Sequence, residues 1–159
     1  MLVPVEISSF AVEPQKCTPM VILKETGGGR SIAVPVGHAD ANAIAMHSLR
    51  VQADKPFTVD LVKIAIEQLG GSLYRAVIGD IEDNAFTACI VLSAASSLKV
   101  IDCRPCDAIT LAVKCGAPIF VRETVFFKLE SDDGLSEAER LRERVRLVDT
   151  TEFGKYVLE

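Results

Sequence analysis

The chain has 159 residues, 49% hydrophobic and 25% charged, with a mean hydropathy of +0.30, enough for one well-buried domain and too little for two of ordinary size. A net charge of −5 excludes the broad basic surface that drives non-specific nucleic-acid binding, so phosphate would have to be recruited by a local basic patch or a bound divalent cation. No run of about 18 apolar residues offers a membrane span, Glu6 stands where a leader needs basic residues, and five scattered cysteines fit a reducing compartment, so a cytoplasmic protein is expected.

Strands are predicted near 2–13, where Val3, Val5 and Ile7 alternate with polar residues, near 19–26 and near 30–37, with Gly27-Gly28-Gly29 as the turn between the last two. A helix follows near 39–50. In the next helix Thr58 is the expected N-cap, Asp60 lies in the first turn, Leu61, Ile64, Ala65 and Leu69 mark the buried face, and Gly70-Gly71 ends it. Strands near 73–82, 85–93 and 97–103 come next, the first two joined by an Asp83-Asn84 turn. Pro105 suits the first turn of a helix over 105–115 that buries Ala108, Leu111, Ala112 and Cys115 and stops at Gly116 and Pro118. Residues 119–129, rich in Val, Phe and Ile, read as a further strand. Beyond a Ser131–Gly134 break, Ser136 opens a charged helix to about Leu147 with a thin stripe of Leu135, Ala138, Leu141, Val145 and Val148, suited to docking on its own domain or on a partner subunit. The fold class is α+β, with duplicated strand-strand-strand-helix units in a largely antiparallel sheet and packed helices, divided into a domain over 1–129 and a helical extension over 130–159.

The duplication is read from a shift of 67 residues. It lays the segment from Val34 to Met46 on that from Ile101 to Val113, matching Asp40, Ala41 and Ala45 with Asp107, Ala108 and Ala112 in type, both aspartates at a helix start. His38, equivalent to Pro105, lies at the first of these corners and is either a surface or capping histidine or one that approaches the other half.

The second corner is the most chemically loaded stretch. Asp102, Arg104 and Asp107 crowd a helix N-terminus, where free N–H groups and the dipole favour anions. Two readings are open: a capped helix with an Asp–Arg pair that fixes the corner, or a site for a ligand. Cys103 and Cys106 form a Cys-x-x-Cys pair in a place where a thiolate would be stabilised. No second Cys or His pair completes a zinc site, and Cys103 belongs to the strand, so free thiols are the plainer expectation. Asp80, Glu82 and Asp83 read as solvated turn residues.

The block Asp102-x-Arg104-Pro105-x-Asp107-Ala108-Ile109, with Pro118-Ile119-Phe120-Val121 after it, resembles the signature of the bifunctional nuclease domain family, and Lys55-Pro56-Phe57-Thr58-Val59-Asp60-Leu61 is similar to that family's Arg-Pro-x-Thr-His-Asp-Leu segment. The resemblance covers roughly residues 3–127. It implies a nuclease of low sequence specificity on RNA and DNA, assisted by Mg²⁺ or Mn²⁺, with the two blocks facing one cleft. Asp102, Asp107 and Asp60 are then the catalytic carboxylates, Asp102 and Asp107 the metal ligands, and Arg104 and Lys55 the phosphate contacts. Two positions depart from the pattern: Val59 stands where many relatives have His, and Cys106 where Ser is usual. The alternative is a non-catalytic oligomeric binding or assembly module. Either way a homo-oligomer, a dimer first, is expected.

Overall fold

The computed structural model describes residues 1–131 and the short strand Arg146–Val148. Strands β1 (Leu2–Glu13), β2 (Thr18–Glu25) and β3 (Ser31–Pro35) lead into helix α1 (His38–Ser48), and α2 (Thr58–Gln68) bridges to strands β4 (Ser72–Glu82), β5 (Ala85–Ala94) and β6 (Ser97–Cys103), which lead into α3 (Pro105–Cys115). Strand β7 (Ile119–Arg122), helix α4 (Glu123–Ser131) and β8 (Arg146–Val148) complete the order. The sequence three strands then a helix thus occurs in both halves.

One mostly antiparallel sheet runs in the order β3-β2-β1-β7-β4-β5-β6, with β8 also paired to β1. Only β4 and β7 run parallel, because α3 carries the chain back across the sheet before β7 enters between the halves. The hairpin between β4 and β5 turns through Asp83 and Asn84, both at positive φ as a two-residue turn of this hand demands.

Period-two patterning decides which face is covered. Val3, Val5, Leu23, Ile32, Val34, Ala76, Ile78, Ile90 and Val121 point to one side and pack with Ile44, Ile109, Leu111, Ala112 and Phe126 of the helices. The other face carries Glu6, Lys24, Arg75, Cys89, Asp102 and Arg122, and no helix among the described residues covers it. Helix α3 is the central prop: Ala108, Leu111 and Ala112 are buried as their spacing predicts, Cys115 is only half-buried, Ile109 is buried beside them, and Gly116 closes the helix in the left-handed conformation (φ 63°).

Three expectations are corrected. Thr58 is the first residue of α2 rather than its cap; Phe57 is the N-cap residue, and its N–H donates to Asp60 Oδ2 at 3.1 Å. The face of α2 that meets the core carries Val59 and Ile66, whereas Leu61 (57% exposed), Ile64 (40%), Ala65 and Leu69 (87%) face outward, because Asp60 is drawn under Phe57 towards Lys114 of α3. The apolar run after Pro118 is a strand only to Arg122; it then turns into α4, which buries Val125 and Phe126 completely. The predicted helix over 136–147 lies outside the described residues except at Arg146 and Leu147, which pair with β1 as strand.

The turned α2 has a measurable consequence. In urea unfolding of the full chain, Leu61→Ala is expected to cost under about 0.5 kcal/mol, and Leu111→Ala about 2–5 kcal/mol. Equal costs would contradict the placement of α2.

Candidate active site

Helices α1 and α3 pack side by side and start at the same end of the molecule, so the two corners that the sequence shift relates meet in space. One carboxylate oxygen each of Asp40 and Asp107 and the Cys106 sulfur lie within 4.8 Å of one another, the single such trio of potential metal ligands among the described residues. Arg104 precedes the helix, and its Nε and Nη2 donate to Asp107 Oδ2 and Oδ1, both at 2.7 Å. This carboxylate holds the guanidinium firmly protonated, with Asp40 adding to the same effect. Arg104 is 72% and Asp107 42% exposed, so the pair adds less than about 1 kcal/mol to stability. Gly37 supplies close approach: a methyl group there would stand 2.9 Å from Asp40 Oδ2.

The donor chemistry suits a hard cation. Two carboxylates, with water and substrate oxygens filling the remaining positions, are what Mg²⁺ or Mn²⁺ takes, and the Gly37 backbone leaves Asp40 the space to turn towards it. Cys106 is no ligand for such an ion: burial pushes its thiol up, and the nearby Asp40 and Asp107 charges push it further.

Neither cysteine of the Cys-x-x-Cys pair gains the thiolate character that its place near a helix start suggested. Burial, then the Asp107 charge, pushes Cys103 up to about 11, and Cys106 moves the same way. In timed alkylation with iodoacetamide at pH 8, the exposed Cys17 should be labelled first and Cys103 last, since only about 0.1% of a thiol with that pKa is ionised there. Labelling of Cys103 at the rate of Cys17 would overturn this assignment.

The structure does not bring all five expected site residues into one cleft. Arg104 and Asp107 share the corner. Asp102 pairs with Cys89 across β5 and β6 and points, with Val100, to the sheet face away from the helices. Asp60 lies at the other end of α3, where its Oδ1 is 3.2 Å from Lys114 Nζ, and Lys55 lines the same hollow. Seven residues separate Asp107 from Lys114, about 10 Å along the helix. The convergence expected of the two blocks is therefore corrected: they occupy opposite ends of the α1–α3 pair. Asp40 completes the acidic corner, and the one sequence signal for it was its alignment with Asp107 under the 67-residue shift.

Among the described residues no helix is long and apolar enough to cross a membrane. Two proteins of Mycobacterium tuberculosis, from strains CDC 1551 / Oshkosh and ATCC 25618 and each described as an uncharacterized protein, are 31% identical to this chain over 142 residues, covering 86% of it and 85% of their own length. Residues 21–132, which contain the acidic corner and the Lys55 block alike, match the bifunctional nuclease domain. With that match across most of its length, the chain belongs to the bifunctional nuclease domain family.

Proposed function

We propose that the protein is a nuclease of low sequence specificity that acts on RNA and DNA phosphodiesters with the help of Mg²⁺ or Mn²⁺ held at the paired helix starts. The observation that carries this reading is the meeting of Asp40 and Asp107, one from each half of the chain, beside a fixed guanidinium. In this reading the metal ligands are Asp40 and Asp107 rather than Asp102 and Asp107. The bound ion would polarise the phosphodiester and lower the pKa of its water. Arg104, oriented by its two bonds to Asp107, is placed to hold a non-bridging phosphate oxygen as charge develops there. His38, exposed at the first position of α1 and two residues before Asp40, offers the imidazole for proton transfer that Val59 does not. The helix dipoles of α1 and α3 add positive potential at the same point.

The direct test is cleavage of a fluorescent single-stranded RNA and DNA by purified protein with Mn²⁺ and with EDTA. Cleavage that needs the ion is expected; equal rates under both conditions would sink the metal-assisted reading.

A second reading, an oligomeric assembly module without catalysis, is favoured by the outward apolar face of α2, where Leu61, Val62, Ile64 and Leu69 stand exposed. Light scattering that finds a defined dimer, dispersed by Leu61→Glu, together with no cleavage under Mn²⁺, would favour it over the first.

A further inference from the structure

At the far end of the α1–α3 pair, the last turn of α1, the loop over 49–57, the first turns of α2 and the last turn of α3 line an open surface hollow of about 530 Å³. Its walls carry four fixed positive charges, Arg50, Lys55, Lys63 and Lys114, against Asp54 and Asp60, in a chain whose net charge is −5. The charges are not all consumed by internal pairs. Asp60 is committed to Lys114 and to the Phe57 N–H, and Lys63 has Glu67 only at 4.0 Å. The Arg50 N–H donates to the His47 carbonyl at 3.0 Å, but the Arg50 guanidinium and the Lys55 ammonium have no hydrogen-bond or ion-pair partner among the described residues.

Helix-dipole compensation accounts for Lys114, in the last turn of α3, and in part for Arg50, which directly follows the α1 C-cap Leu49; it does not account for Lys55, which stands in the loop. Arg50 also holds a left-handed backbone (φ 54°), a conformation that glycine takes freely and arginine takes at a cost, so the chain keeps a guanidinium where its backbone would favour none. His47 reports the local field. Burial, Lys114 and Lys63 push it below the usual imidazole range, and Asp60 opposes them. The remaining wall is apolar: Val51, Pro56, Phe57 and Ile64, with the Lys114 ammonium 6.0 Å from the centre of the Phe57 ring. Gln52 adds an amide able to both donate and accept.

A hollow of this size, with unpaired cations on one side and an aromatic and aliphatic wall on the other, fits a ligand that is anionic at one end and flat and apolar at the other. We propose that it binds a nucleoside phosphate, with the phosphate among Arg50, Lys55 and Lys63 and the base against Phe57, Pro56 and Ile64. The phosphate half rests on the hollow alone; the nucleoside half rests also on the nuclease reading. The site is separate from the acidic corner, two helical turns away along α3, and serves a released product or the end of a strand rather than the scissile bond.

The test is calorimetric titration of the full chain in EDTA with adenosine 5′-monophosphate, inorganic phosphate and adenosine. Saturable binding of one adenosine monophosphate per chain is expected, with weaker binding of phosphate and none of adenosine. The Arg50→Ala/Lys55→Ala double variant should lose at least tenfold in affinity and Asp107→Asn none. In proton NMR the ligand should raise the pKa of His47, which faces Lys114 from α3, Lys63 and Asp60 from α2, and Arg50, Lys55 and Asp54 from the loop. Absence of binding, undiminished affinity in the double variant, or loss of binding in Asp107→Asn would overturn the site, and equal affinity for phosphate and the nucleotide would overturn its nucleoside half. Because no divalent ion is present, cleavage plays no part. If the nucleotide binds and no nucleic acid is cut, the nuclease reading alone falls; if cleavage proceeds and the nucleotide does not bind, this site alone falls.

Discussion

Asp40→Asn and Asp107→Asn are each expected to lower metal-dependent cleavage by at least about 100-fold, with the double variant little worse than either single one. The carboxylates lie close enough to act on one ion, so removing either removes the site, and the second substitution has nothing further to abolish. Both variants should stay folded. The Arg104–Asp107 pair is exposed, and its loss costs less than about 1 kcal/mol. His38→Gln is expected to slow cleavage by about 100-fold while leaving Mn²⁺ affinity unchanged, as befits a proton-transfer group and not a ligand. Circular dichroism and a thermal melt of each variant separate loss of chemistry from loss of fold.

The largest effect on stability should come from Phe126→Ala. The ring is fully buried in the core cluster, and truncation of such a residue costs about 3–5 kcal/mol, which for a chain of this length lowers the melting temperature by about 10 °C. Part of the loss is specific to one contact: the Arg30 guanidinium lies 4.5 Å from the ring centroid, held there by two bonds to Glu25 at 2.8 and 2.9 Å and a longer approach to Glu123 at 3.7 Å. Phe126 therefore ties α4 to the β2–β3 hairpin as well as to the sheet. Phe126→Leu should recover most of the buried area and lose the cation–π term, about 1 kcal/mol. A Phe126→Ala cost below 1 kcal/mol in equilibrium unfolding would contradict the burial of α4.

Much of the fold was legible because strands and helices here keep clean periods. Val3, Val5 and Ile7 alternate, Ala108, Leu111 and Ala112 recur at helical spacing, and Pro105 and Gly116 bracket their helix. The errors came where a pattern was real and its partner was unknown. Leu61, Ile64 and Leu69 do form a stripe along α2, yet a stripe states which side of a helix is apolar and nothing about which side meets the core; the Asp60–Lys114 pair decided that. The run after Pro118 is rich in β-forming residues, but Val125, Phe126 and Leu129 stand at helical spacing, and the Glu123 N–H makes the last bond to β1, donating to the Met1 carbonyl, before the chain turns into α4.

The acidic corner was half legible. The crowding of Arg104 and Asp107 at a helix start was visible in the chain, and so was the equivalence of Asp40 to Asp107. What spacing alone could not convey is that two helices in different halves begin side by side, so that Asp40 and not Asp102 is the partner of Asp107. Asp102 alternates out of the core with its strand, and no local rule links its face to a helix from the other half. The separation of Lys55 and Asp60 from this corner follows from the direction in which α2 packs along α3, which is a tertiary fact.

The central claim is that Asp40 and Asp107 together hold a divalent ion. Its most direct test is an anomalous-difference map from crystals soaked in Mn²⁺. A peak within coordinating distance of one carboxylate oxygen of each residue, absent in Asp40→Asn, is the predicted result; a peak beside Asp102 or Asp60 with the Asp40–Asp107 corner empty would contradict it.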